Sequence, residues 1–166
     1  MTPRLHMIFL DDSMQSRRTR KELGRVAALG AVIVPPESLK VFGDYVKMLR
    51  VRYGVPTSSE IKWSPSPNDS WMRARENTPA RVSLYEKILQ GARICQIRSV
   101  YAALDLDAVT WWDEDEAKRR LLEFVYERVS LSLEASDDED AGTRSVGVVV
   151  ADTPSGDRKD EKKMVA

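Results

Sequence analysis

The segment that decides the fold is Leu5-His6-Met7-Ile8-Phe9-Leu10-Asp11-Asp12, close to the amino terminus. It opens as a short apolar run, which is typical of a strand that is buried on both faces of a sheet. Two carboxylates, followed by Ser13, interrupt the run. We therefore expect a strand over residues 5–10 that ends at the pair Asp11-Asp12.

Three further apolar runs predict strands over residues 25–34, 94–104 and 146–151. Gly30, inside the second run, indicates a bulge or a close backbone approach. Asp152 follows the last run, as Asp11 follows the first.

Apolar residues at three- and four-residue intervals predict three helices between these strands. The first begins at Pro35-Pro36 and stops at Gly54. The second begins at Thr78-Pro79, ends at Gly91 and buries the face made by Val82, Tyr85, Ile88 and Leu89. The third covers residues 113–135, is capped by Asp113 and has an inner face made by Leu121, Phe124, Val125, Val129 and Ser132. Apolar strands joined by long helices predict an α/β fold, a mixed sheet with helices packed on its faces.

The length of 166 residues suits one domain over residues 1–166, with an acidic mobile loop over residues 136–144. The polar stretch after Asp152 indicates a tail, the start of another helix, or a chain cut short at its carboxyl end. A single cysteine, Cys95, excludes an intramolecular disulfide and a Cys-rich zinc site. The single histidine, His6, is expected in the core or at an edge of the sheet.

Charge and hydropathy bear on location and partners. The 26 basic and 26 acidic side chains balance, which gives no support to a sequence-independent nucleic-acid binder. A local basic patch can still serve that role. No apolar run approaches the roughly 20 residues of a membrane span, and no signal peptide is recognisable, so we predict no membrane association and a cytoplasmic location.

The aspartates that follow the first and last strands suggest a metal site. Ligand sites of open α/β sheets lie beyond the carboxyl ends of strands, so these aspartates meet if the two strands are neighbours. Crowded carboxylates remain ionised together most easily around a cation. Oxygen ligands favour Mg²⁺ or Mn²⁺, and two such ions can clamp a phosphodiester. The alternative is that each aspartate is an ordinary turn or cap residue.

Four short motifs resemble the DUF3800 family and follow that family's order. Ile8-Phe9-Leu10-Asp11-Asp12-Ser13 is similar to its opening I-F-[IL]-D-E-S-G, and residues 29–35 resemble its glycine-containing second strand. Glu60-Ile61-Lys62-Trp63 looks like its E-[IL]-K-[WF] element, and residues 148–152 resemble its later strand ending in aspartate.

The resemblance implies an RNase H-like fold and a Mg²⁺- or Mn²⁺-dependent phosphodiesterase or nuclease, in a family linked with phage defence and mobile elements. By position, the implied catalytic residues are Asp11, Asp12, Glu60 and Asp152, with Asp11, Asp12 and Asp152 as metal ligands. Two departures matter: Asp12 replaces the family's Glu, and its late Gln-x-x-Asp element has no counterpart. The alternative is therefore a catalytically inactive RNase H-like binding module.

Basic and aromatic residues supply weaker candidates. Lys62, Arg17 and Arg18 are candidate substrate-binding residues, toward a phosphate or a nucleic-acid backbone. The competing interpretations are an ion pair between Lys62 and Glu60 and a solvated loop for the arginines. The four tryptophans, Trp63, Trp71, Trp111 and Trp112, are either base-stacking or packing residues, with packing favoured.

Overall fold

The structure, a computed structural model, describes residues 2–15, 24–62, 66–137 and 142–151. These residues form four strands, β1 (Thr2–Gln15), β2 (Val26–Val34), β3 (Arg98–Asp105) and β4 (Thr143–Ala151). The helices are α1 (Pro36–Arg52), α2 (Ser70–Arg73), α3 (Thr78–Ile94) and α4 (Glu114–Glu134), with one turn of 3-10 helix at Arg75–Asn77. The predicted α/β class and order of the long elements are confirmed. The short α2 interrupts a segment that the sequence indicated to be irregular.

The chain divides into two compact units. The sheet unit comprises Met1–Ile33 and Ser99–Ala166, and the helical unit comprises Val34–Arg98. The helical unit is thus an insertion between β2 and β3 in the sequence. That residues 1–166 form one domain stays a prediction.

The strands form one mixed sheet in the order β3-β2-β1-β4. β1 and β4 are parallel, and their register runs from Thr2 opposite Thr143 to Leu10 opposite Ala151. β1 and β2 run in opposite directions, because Gly30 adjoins Asp11 while the Gln15 side-chain amide donates to the Gly24 carbonyl oxygen at 3.1 Å.

The prediction that the first strand ends at Leu10 is wrong. β1 continues through both aspartates to Gln15. β2 lies beside this extension, because an ideal Cβ atom at Gly30 would lie 3.9 Å from the Asp11 carbonyl oxygen. The strand tolerates polar residues there because the side chains of Asp11 and Asp12 are exposed. Asp11 and Asp12 therefore lie inside a strand.

Helix α4 packs on one face of the sheet and completes the main core. Asp113 caps it as predicted, accepting a hydrogen bond from the Glu116 backbone N–H at 2.8 Å. Leu121, Val125 and Val129 are buried, whereas Phe124 is 44% exposed, so its place on the predicted inner face is wrong. The buried residues of this core are Ile8, Ala27, Leu29, Ala31, Ile33, Leu106, Ala117, Leu121, Val125 and Val129.

The helical unit has its own small core, made by Leu49, Val55 and Leu84. Gly91 does not end α3 as predicted: it is buried, and a Cβ atom there would lie 2.6 Å from Cδ1 of the Tyr45 ring. The helix instead ends just before Gln96, whose φ of 54° is left-handed.

The predicted inner face of α3 is also partly wrong. Val82 is 46% exposed and Leu89 is 70% exposed, whereas Leu84, which the interval pattern passed over, is fully buried. Tyr85 and Ile88 are half-buried. The face that packs is therefore rotated toward Leu84 and Gly91, because the glycine lets α3 approach Tyr45 on α1.

Candidate functional site

Asp11 and Asp12 lie on opposite faces of the sheet. Successive side chains of a strand alternate between faces. Leu10 and Met14 pack against the core under α4, so Asp12, which shares their parity, is on the α4 face. Asp11 shares the other face with Phe9 and, like it, is exposed. The two neighbouring side chains therefore leave β1 on opposite sides, and that Asp12 shares a metal site with Asp11 stays a prediction. The face that carries Asp11 is called the open face below.

Asp11 borders a groove of about 300 Å³ on the open face. Gly30 lies on β2, between β1 and β3, and forms the floor of the groove, because a glycine has no side chain to fill that space. Phe9 and Tyr101 line it from the flanking strands β1 and β3. Among the described residues, the lining is Phe9, Leu10, Asp11, Gly30, Ala31, Val32, Ser99, Val100 and Tyr101.

Gly30 causes no close backbone approach, contrary to one of the two sequence interpretations. An ideal Cβ atom at this position lies 3.9 Å from the carbonyl oxygens of Asp11 and Val100, an ordinary contact distance. The backbone φ of Gly30 is not positive. What the glycine provides is empty space beside Asp11.

The strands that precede Asp11 and Asp152 are neighbours, as the metal-site hypothesis requires. β1 and β4 are parallel and hydrogen-bonded, and Leu10 pairs with Ala151 at the last residue pair of their register. Asp11 and Asp152 come next in the sequence. Asp152 itself lies outside the described residues.

Glu60 and Lys62 belong to the helical unit, and their side chains form an ion pair, with Lys62 Nζ 2.9 Å from Glu60 Oε1. Both side chains are more than half exposed. An exposed pair of this kind stabilises a fold by about 1 kcal/mol at most. This contact is the ion pair that the sequence analysis gave as the alternative to phosphate binding by Lys62. That Glu60 acts together with Asp11 stays a prediction.

The remaining candidates divide between exposed, packed and undescribed residues. Arg17, Arg18 and Trp63 lie outside the described residues. Trp71 packs against the core of the helical unit. Trp111 is 74% exposed and meets Trp112 edge to face at 6.4 Å, while the Arg120 guanidinium lies 5.8 Å from the Trp112 ring centre. His6 is buried in the sheet, as predicted.

Tyr101 and Gly30 are the groove residues that sequence reasoning missed as site candidates. Tyr101 is 83% exposed in the middle of a strand, although a large aromatic side chain usually contributes to packing. The available signal was the alternation in β3, where Val100, Ala102 and Leu104 pack against the core and Tyr101 falls between them. The strand predicted over residues 94–104 is present, but it begins at Arg98, and Ile94 is the last residue of α3.

Within the described ranges, no group of three or more His, Cys, Asp or Glu side chains is arranged to hold a metal ion. In that same part of the chain, no helix is both long enough and apolar enough to cross a membrane. Comparisons with protein-family models, with curated proteins and with solved structures found no match for this chain. Membership of the DUF3800 family accordingly stays a prediction.

Proposed function

We propose that this protein is an RNase H-like phosphodiesterase or nuclease that depends on Mg²⁺ or Mn²⁺. The observation that carries the proposal is the parallel register of β1 and β4, in which Leu10 and Ala151 are partners immediately before Asp11 and Asp152. An interior β1 with a parallel strand beside it is compatible with an RNase H-like sheet.

The chemistry of the proposed site follows from the spacing of strands. Continuing the register by one residue would pair Asp11 with Asp152, on strands about 4.8 Å apart. Two carboxylates at that separation repel each other unless a cation lies between them, and their hard oxygen atoms suit Mg²⁺ or Mn²⁺. When bound, such an ion would polarise a phosphodiester and activate a water molecule.

Each of the other predicted ligands has a defined place in the proposal. Asp12 is left out of the set that holds this ion, because it lies on the α4 face while Asp11 lies on the open face. Glu60 is kept as a further carboxylate, which its high exposure leaves accessible. Lys62, Arg17 and Arg18 are kept as substrate-binding residues that neutralise phosphate charge.

A hydrolysis assay tests the proposal. Labelled single-stranded and duplex DNA and RNA are incubated with the protein in Mn²⁺, in Mg²⁺ and in EDTA. We expect cleavage that needs the metal and that falls about a hundredfold or more in Asp11→Asn, since a lost metal ligand removes several kcal/mol of transition-state stabilisation. Asp12→Asn, the neighbouring carboxylate on the opposite face, is the matched control and should retain cleavage.

The second candidate is a catalytically inactive RNase H-like binding module. The separation of Asp11 from Asp12 favours it, because the pair that the family's opening motif implies is divided between two faces. This candidate predicts nucleic-acid binding in EDTA and no cleavage with any divalent ion. A cytoplasmic role in phage defence or mobile-element biology belongs to the proposal for either candidate.

A further inference from the structure

We infer that β4 pairs in antiparallel orientation with β4 of a second copy of this chain, so that two four-stranded sheets join at their edges. Within the described part of the chain, β4 is an edge strand, with β1 as its neighbour on one side. A strand offers backbone N–H and C=O groups to both sides, so the outer side of β4 presents a row of these groups to a further strand. This pairing does not depend on the proposed activity.

The edge lacks the features that usually prevent another strand from being added. Native edge strands are commonly protected by charged side chains, by proline or by a bulge. Residues 145–151 contain no charged residue and no proline. The register with β1 runs without interruption from Thr143 to Ala151, so no bulge turns the edge away. Four of these seven residues are valine, which favours strands, and such an edge suits the addition of a strand.

The valines of β4 are accessible on both faces of the sheet. Val150 is the register partner of Phe9, so Val148 and Val150 lie on the open face, where they are 41% and 39% exposed. Val149 is the partner of Ile8 on the α4 face and is 38% exposed. Helix α4 therefore does not cover this edge, and a second strand can approach it without displacing the helix.

The sequence of β4 is complementary to itself when two copies run in opposite directions. A twofold axis at Val148 places this residue opposite its own copy and places Val146 opposite Val150. It also places Arg144 opposite Asp152, so that opposite charges meet at both ends of the pairing. Pairs of β-branched side chains and of opposite charges stabilise neighbouring strands. An interface between two identical copies requires this kind of self-complementarity.

Charge also selects the orientation and the partner. Arg144 is the one charged residue of β4, and a parallel pairing in register would set its two copies side by side, where they repel. In the antiparallel pairing they are about 27 Å apart, or eight residues. The carboxyl-terminal residues 152–166 suit the edge less well than a second copy, because eight of the fifteen are charged and Pro154 is among them.

Like charges at the twofold axis test the pairing. Val148→Lys would set two ammonium groups opposite each other, and Val148→Glu would set two carboxylates opposite each other. Each variant alone should dimerise about tenfold more weakly than the wild type or worse, whereas an equimolar mixture of the two should dimerise more tightly than either alone. A mixture of Val146→Lys with Val150→Glu tests the direction, because these positions face each other only in the antiparallel pairing.

The measurement is sedimentation velocity over about 1–300 µM protein, in EDTA so that the result does not depend on the proposed metal site. The wild type should contain a fraction of dimer that rises with concentration. Leu5→Lys is the matched control, because Leu5 is also exposed on the open face but belongs to β1, and it should dimerise within about twofold of the wild type. An equal loss in Leu5→Lys would show that open faces stack and would overturn the edge pairing.

The inference is also overturned by a wild type that stays monomeric, by unchanged dimerisation of both Val148 variants, or by a mixture that dimerises no better than its components. Circular dichroism of each variant checks that the fold is retained. If the charged variants do not fold, Val148→Cys in a Cys95→Ser background replaces them. Opposed residues of antiparallel strands lie about 4.5–5.5 Å apart, so this cysteine should form a disulfide between two copies, and Val146→Cys in the same background should not. The reverse result would reject the pairing.

Discussion

Leu10 and Ala151 are register partners at the carboxyl end of the parallel pair β1 and β4. This relationship joins residues from the two ends of the sequence, and each is followed immediately by an aspartate. The proposed metal site depends on this register, because a shift of one residue would turn the side chains of β4 to the opposite face.

A designed disulfide tests the register of β1 and β4. Met7 and Val148 are partners in it, so Met7→Cys with Val148→Cys, in a Cys95→Ser background, should cross-link under mild oxidation. Neighbouring parallel strands are about 4.8 Å apart, which is within the Cα separation that a disulfide spans. The measurement is the loss of free thiols, with the cross-linked peptides identified by mass spectrometry.

A mismatched pair provides the control for that cross-link. Leu5→Cys with Val150→Cys combines positions from two different partner pairs, because Leu5 lies opposite Val146 and Val150 lies opposite Phe9. These positions are about 13 Å apart along the strands, too far for a disulfide. Cross-linking of the mismatched pair with no cross-linking of the matched pair would show that the register is wrong.

Gly91→Ala should destabilise the helical unit. The added methyl group would overlap the Tyr45 ring, so the side chain or the helix has to move. Overpacking of this kind costs about 1–3 kcal/mol. Urea unfolding followed by circular dichroism gives the change in free energy of unfolding.

The matched control is Gly43→Ala, at a glycine inside α1 where a Cβ atom would meet nothing within 4 Å. Since alanine favours the helix over glycine, this variant should be more stable by about 0.5–1 kcal/mol. If Gly91→Ala stabilises the protein as Gly43→Ala does, the close approach of α3 to Tyr45 is not present.

We expect the Glu116 carboxyl, in the first turn of α4, to make the free energy of unfolding depend on pH. Hydrogen bonds from Arg119, at 2.6 and 2.9 Å, lower the pKa of the Glu116 carboxyl below its ordinary value of 4.5, and a further bond from Arg120 acts in the same direction. A carboxyl with a lowered folded-state pKa contributes stability above its unfolded pKa and loses it as pH falls through the folded value.

Glu116→Gln should therefore lower the Tm slightly at neutral pH, and the difference from the wild type should disappear in acid. Thermal unfolding followed across this pH range gives both values. In an Arg119→Ala background the effect of Glu116→Gln should be smaller, because the main partner is gone. A difference that grows as the pH falls would contradict this account of the ion pair.

The sequence predicted the long elements well, because their signals are local. The cap at Asp113 and the stop at Gly54, whose φ is 65°, depend on residues within one turn of the helix, and both are confirmed. The carboxyl end of β1 was missed because residues 11–15 are mostly polar, so an apolar pattern does not reveal that they continue the strand beside β2. The role of Gly91 was missed because it depends on packing against Tyr45, which lies on another helix. Without that contact, the sequence does not distinguish a glycine inside a helix from one that ends it.

The candidate site was predicted in part. The sequence made the metal site conditional on adjacency of the strands before Asp11 and Asp152, and the structure shows that these two strands are neighbours. The placement of Asp11 and Asp12 on opposite faces was not predicted, because side chains alternate there only if the strand continues through both residues. The groove was missed because it is formed by three strands, and no short motif carries it.

The most direct test of the central claim is a Mn²⁺ titration followed by thermal unfolding of the wild type, Asp11→Asn, Asp152→Asn and Asp12→Asn. Metal binding to the native state raises the Tm, by about 2–4 °C for each kcal/mol that binding adds to the free energy of unfolding in a chain of this size. The account predicts an increase for the wild type and for Asp12→Asn that is lost in Asp11→Asn and in Asp152→Asn. No increase for the wild type at millimolar Mn²⁺, or an equal increase in all four proteins, would contradict it.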